Sequence, residues 1–144
     1  MASVHLGGIM AVFQKAKKYN PEIQVIAMRS RYPQFKHTRT KDGCIVFKGK
    51  LRVKPELPEY EVKILYCGDK SPKVYILNPA PVEGVPHIYS NTKSLCLYHP
   101  DNFKWHGGKL IAEDIMGWTA GWIYFYEYWL QTGKWVGPEV PHDI

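Results

Sequence analysis

Three runs of alternating side chains constrain the fold of this chain more than any other feature. In CIVFKGKLRVK (44–54), Ile45, Phe47, Leu51 and Val53 fall on one side, and Lys48, Lys50, Arg52 and Lys54 fall on the other. YEVKILYC (60–67) repeats the pattern through Tyr60, Val62, Ile64 and Tyr66, and KVYIL (73–77) follows a Gly-Asp-Lys-Ser-Pro link. A period of two puts successive side chains on opposite faces, which is the pattern of a strand with one face buried. The β-rich run IQVIAMR (23–29) precedes these three and reads as a first strand. The links are too short for the crossover that parallel neighbours require, so the expectation is a four-stranded antiparallel meander. One face of such a sheet needs a cover.

Helical spacing supplies it at both ends. Ile9, Val12, Phe13 and Ala16 form a stripe that predicts an amphipathic opening helix from about residue 8, with Asn20-Pro21 as its stop. In IAEDIMGWTAGWIYFYEYWLQTG, the residues Ile111, Ile115, Trp118, Trp122, Phe125 and Trp129 recur three or four apart, and Gly133 is placed to cap the C-terminus. Tyr124, Tyr126 and Tyr128 extend aromatic surface beyond that stripe, either for core packing or for a partner. Between the strands and this helix, residues 78–109 lose all periodicity under Pro79, Pro81, Pro86, Pro100, Gly84, Gly107 and Gly108. Irregular segments of that length in a small protein commonly carry function. The closing KWVGPEVPHDI reads as an irregular tail packed through Trp135, with His142 tying it to the same region. The class expected is α+β, in one domain spanning 1–144.

No apolar run reaches the roughly 18 residues a membrane helix needs, and no basic segment precedes the apolar part of the amino terminus, so the reading is a cytoplasmic protein with no membrane partner. The net charge of +6 at pH 7 suits an acidic partner. Its excess lies in Lys15, Lys17, Lys18 and in RSRYPQFKHTRTK (29–41), read first as a solvated helix face and an exposed basic loop, next as a protein-docking surface, and last as a nucleic-acid site. Three cysteines cannot all pair, and none has a Cys-x-x-Cys spacing, so neither a disulfide framework nor a metal site is expected. No cofactor is expected either. Cys44 and Cys67, at strand ends, read as inert small hydrophobes.

Cys96 differs, because it lies inside the irregular segment in HIYSNTKSLCLYHPDNFKW (87–105). A histidine shortly upstream, the Leu95-Cys96-Leu97 context and Trp105 beyond resemble the ubiquitin-conjugating (UBC-like) family. Leu95-Cys96-Leu97-Tyr98, Pro100 and Trp105, followed by Tyr126-Glu127-Tyr128-Trp129-Leu130 and the run Thr132 to His142, are similar to bacterial UBC-like proteins of CBASS anti-phage operons. The resemblance implies an acyl carrier, in which Cys96 takes the C-terminal carboxyl of a ubiquitin-like protein or of a cGAS-like nucleotidyltransferase as a thioester and transfers it to an amine. No Gly-rich phosphate loop appears in the sequence, so activation is expected from a separate enzyme.

The family's His-Pro-Asn segment reads His87-Ile88-Tyr89 here, which puts Tyr89 roughly in the asparagine's place and leaves Tyr89, Asn91, a backbone N–H or no such donor for the oxyanion. His87 is a candidate for bracing the loop or for the chemistry itself. Tyr98, His99 and Trp105 are expected to support the active-site loop. Readings from other classes are a non-catalytic scaffold that binds a defence partner, a Cys/His hydrolase, and a nucleic-acid binder.

Overall fold

Asn20 and Pro21 start a helix. In the computed structural model, which describes residues 20–68, 70–98 and 103–138, helix α1 spans Pro21–Arg31, and the Asn20 side chain accepts a hydrogen bond from the Ile23 N–H at 3.3 Å. Proline at the first helical position wastes no donor, Glu22 lies in the first turn, and Arg29 and Arg31 lie in the last, where each charge complements the helix dipole. The strand expected over 23–29 is therefore helical. Its β-branched residues favoured the strand reading, but the residues it buries, Ile23, Gln24, Val25 and Met28, form one helical face rather than an alternation. The amphipathic helix expected from residue 8 lies outside the described residues.

The meander holds, with a different first strand. Strands β1 (Lys36–Arg39), β2 (Ile45–Leu51), β3 (Tyr60–Tyr66) and β4 (Lys73–Asn78) pair in sequence order, all antiparallel. β1 falls where an exposed basic loop was expected: KHTR has no apolar alternation to reveal it, and short charged strands are usual at a sheet edge. Register on β2 and β3 runs from Ile45 opposite Tyr66 to Leu51 opposite Tyr60, which gathers Ile45, Phe47, Tyr60, Val62, Ile64 and Tyr66 among the buried residues. Gly49 shares that face because Phe35 lies on it; a Cβ there would stand 2.8 Å from the Phe35 Cα.

One rung beyond the Ile45–Tyr66 pair, Cys44 and Cys67 are joined by a disulfide, with Cα atoms 4.4 Å apart. This corrects the expectation of inert thiols. Counting cysteines and looking for metal spacing ignores strand register, and register places these two opposite each other.

The covering helix, α2 (Met116–Thr132), is entered through a π-helical turn at Ile111–Ile115. Ile111, Ile115, Met116, Trp122, Ile123 and Tyr126 join the sheet residues and Val25, Met28 and Phe35 in one buried cluster. The buried face is rotated from the expected stripe: Tyr126 is 2% exposed, whereas Tyr124 and Tyr128 remain 39% and 37% exposed. Gly133 adopts the left-handed conformation (φ 75°) and caps the helix through its N–H to the Trp129 carbonyl at 2.7 Å.

Gln24 fixes where the π turn begins. Fully buried, its amide donates to the Lys109 carbonyl at 2.6 Å and accepts from the Ile111 N–H at 2.9 Å. Gln24→Leu is expected to cost about 2 to 4 kcal/mol in urea unfolding, because it strands both backbone groups in the interior; a loss under about 0.5 kcal/mol would mean that water reaches them.

Candidate functional site

Residues 87–96 make a small hairpin within the otherwise irregular segment. Ile88 and Leu95 bridge antiparallel, flanked by Cys96 N–H to the His87 carbonyl at 2.9 Å and Tyr89 N–H to the Ser94 carbonyl at 3.0 Å. Alternation then sets Ile88 and Leu95 on one side and His87, Cys96, Tyr89 and Ser94 on the other. The Leu95 N–H donates to the Val74 carbonyl at 2.8 Å, which fastens the hairpin to β4. His87 and Lys93 both take left-handed backbone (φ 63° and 66°), costly for residues with a Cβ. Lys93 is held by its N–H to the Tyr89 carbonyl at 2.8 Å, and the Trp122 indole donates to the His87 carbonyl at 3.0 Å.

This arrangement brings Tyr89 to the thiol. The phenol and the thiol interact, each shifting the titration of the other. Burial and the contact with Cys96 push the Tyr89 phenol up to about 12, so at neutral pH it keeps its proton and is the donor. Burial also pushes the Cys96 thiol up, and the Tyr89 hydrogen bond opposes that push by favouring thiolate. Cys96 is 3% exposed, yet it borders a cleft of about 110 Å³. His87 also faces this cleft, and its ring lies 4.8 Å from that of Trp135.

The other expected residues are dispersed. Asn91 lies at the exposed tip of the hairpin. Tyr98 packs between Phe103 (4.8 Å between ring centroids) and Trp118 (5.0 Å), and burial pushes its phenol up to about 12. Trp105 meets Tyr66 of β3 edge-on at 6.0 Å between ring centroids and packs against the core. His99 and His142 lie outside the described residues. Sequence reading placed Trp122 in the core and Trp135 in a packed tail without connecting either to His87; nothing in their spacing signals that contact. The YExWL motif acts in the core. The Tyr126 hydroxyl accepts from the Val82 N–H at 2.9 Å, and Tyr60 donates to the buried Glu127 carboxylate.

Among the described residues there is no cluster of His, Cys, Asp and Glu fit to hold a metal ion, and no helix is long and apolar enough to cross a membrane. A leading helix, a four-stranded antiparallel meander, a long irregular segment presenting a cysteine and a closing aromatic helix together define a UBC-like protein. Within that class, the family model described as type II CBASS E2 protein matches residues 24–143, and the chain belongs to that family. It is thus an E2-like protein of anti-phage defence. A comparison with curated proteins finds no match.

Proposed function

We propose that this protein carries an acyl group on Cys96, as a thioester to the C-terminal carboxyl of another protein, and transfers it to an amine. The observation that supports this most is the hairpin that sets Tyr89 on the face of Cys96, beside an open cleft that Cys96 lines. In the first step the sulfur attacks a carbonyl already activated by a separate enzyme, the S–C bond forms, and the previous leaving group departs with the proton Cys96 gives up. In the second, an amine attacks the thioester, loses a proton, and Cys96 leaves as its thiol. Tyr89 serves both, first by stabilising thiolate and then by donating to the carbonyl oxygen as charge gathers there. His87 is a positioning residue, since its carbonyl holds the Cys96 N–H and its ring is held by Trp135. Asn91, at the hairpin tip, has no part in this scheme.

The cargo is a ubiquitin-like protein or the tail of a cGAS-like nucleotidyltransferase. Incubation with the nucleotidyltransferase from the same operon, and its activating enzyme where one exists, is expected to give an adduct that free thiols cleave. An adduct that resists thiols and hydroxylamine, or one that forms equally on Cys96→Ala, removes the thioester. The low exposure of Cys96 favours a second reading, a scaffold that binds its partner without chemistry. Undiminished phage protection in a Cys96→Ala strain selects it.

A further inference from the structure

The cleft beside Cys96 has a composition of its own. Its floor is the side of α2 that carries Gly117 and Gly121, one turn apart, and its walls include Trp118, Phe125, Trp135 and Pro138. Among the described residues, no Asp, Glu, Lys or Arg lines it. A Cβ at Gly117 would meet nothing within 4 Å, and one at Gly121 only the Phe125 ring at 3.8 Å, so packing does not force glycine at either place. Glycine weakens a helix relative to alanine, and here the two bare positions leave the space open. A chain joined to Cys96 has this cleft beside it, because Cys96 is part of its lining.

We infer that this cleft is a specificity subsite that receives one apolar side chain from the last two residues of the polypeptide carried on Cys96. The inference rests on the thioester reading above and adds a preference to it. A volume of about 110 Å³ is smaller than the roughly 150 Å³ cavity that admits benzene. It suits valine, leucine or methionine and is too small for tryptophan. The described lining, mostly aromatic, holds no carboxylate, ammonium or guanidinium to compensate aspartate or lysine for lost hydration. Burial of one leucine-sized side chain is worth roughly 10-fold or more in binding.

Synthetic peptide thioesters of mercaptoethanesulfonate test this on the full chain without an activating enzyme. Cys96 displaces the small thiol: one S–C bond forms, one breaks, and the proton from Cys96 ends on the released thiol, with no change in oxidation state. Two donor series are needed, one varying the last residue and one varying the residue before a terminal glycine, with acylation followed by intact mass. The expected result is a kcat/KM at least 10-fold higher for leucine than for glycine or aspartate in one of the series, with tryptophan no better than glycine. Gly121→Leu is expected to reduce that leucine-to-glycine ratio below about 3-fold, and Gly117→Leu gives the same reading if the first variant does not fold. Acylation at equal rates throughout both series overturns the subsite alone. No acylation by any donor removes the thioester reading, and the subsite with it.

Discussion

Cys96→Ala is expected to end acyl transfer altogether, and Tyr89→Phe to slow it about 100-fold, because removing one preorganised donor beside a developing oxyanion commonly costs 100- to 1000-fold. The two substitutions separate identity from assistance. Alanine removes the sulfur proposed to form the bond, while phenylalanine keeps the ring and deletes only the hydroxyl. A pH series gives the sign. Burial holds the Cys96 thiol above its ordinary range, and the Tyr89 hydrogen bond lowers it partway back. Acylation of the native protein should therefore still rise with pH through the usual thiol range, and in Tyr89→Phe the midpoint should move to higher pH. A midpoint that stays or falls would mean that the hydroxyl does not stabilise thiolate. A Tyr89→Phe rate within 3-fold of native would hand the oxyanion to a backbone N–H.

Loss of the Cys44–Cys67 bond is expected to cost about 3 kcal/mol, the loop-closure value for a sequence separation of 23. That is more than a hundredfold in the folding equilibrium. Urea unfolding with and without dithiothreitol measures it, and the Cys44→Ser/Cys67→Ser double variant should match the reduced protein. Equal stability in both conditions would show that the thiols are not joined in solution. Tyr66 precedes Cys67 and meets Trp105, so the bond closes the end of the sheet under the irregular segment. Disulfides are rare in a reducing cytosol, which makes the redox state of this pair the observation that bears most directly on the expected cytoplasmic location.

The parts of the fold that could be read in advance are those where one local pattern has one physical meaning. Alternation in β2, β3 and β4 required a buried face, and the αL cap at Gly133 followed from glycine after a helical stripe. Asn20-Pro21 was read only as a stop, whereas the pair also caps the helix that follows, a role that the Asn20 bond to the Ile23 N–H and the burial of Gln24 against Lys109 and Ile111 make visible. β1 had no apolar signal, and the Cys44–Cys67 pair became visible only through register.

The site divides the same way. Cys96 stood out by its place in an aperiodic segment and by the residues around it. Tyr89 and Asn91 were both candidates, and what could not be read was the hairpin, which sets Tyr89 on the face of Cys96 and leaves Asn91 at the tip. The cleft could not be foreseen, because Gly117 and Gly121 look like two weak points in a helix until their open side is seen to adjoin the sulfur.

Trypsin cleaves after Lys93 and Lys104, which isolates Cys96 in one peptide, SLCLYHPDNFK. Peptide mapping of the purified, unreduced adduct with the operon's nucleotidyltransferase or ubiquitin-like protein should find the cargo's C-terminal remnant on that peptide, and a thiol should release it. A remnant found only on lysine side chains of this protein, or on no peptide at all while partner binding persists, would contradict the account.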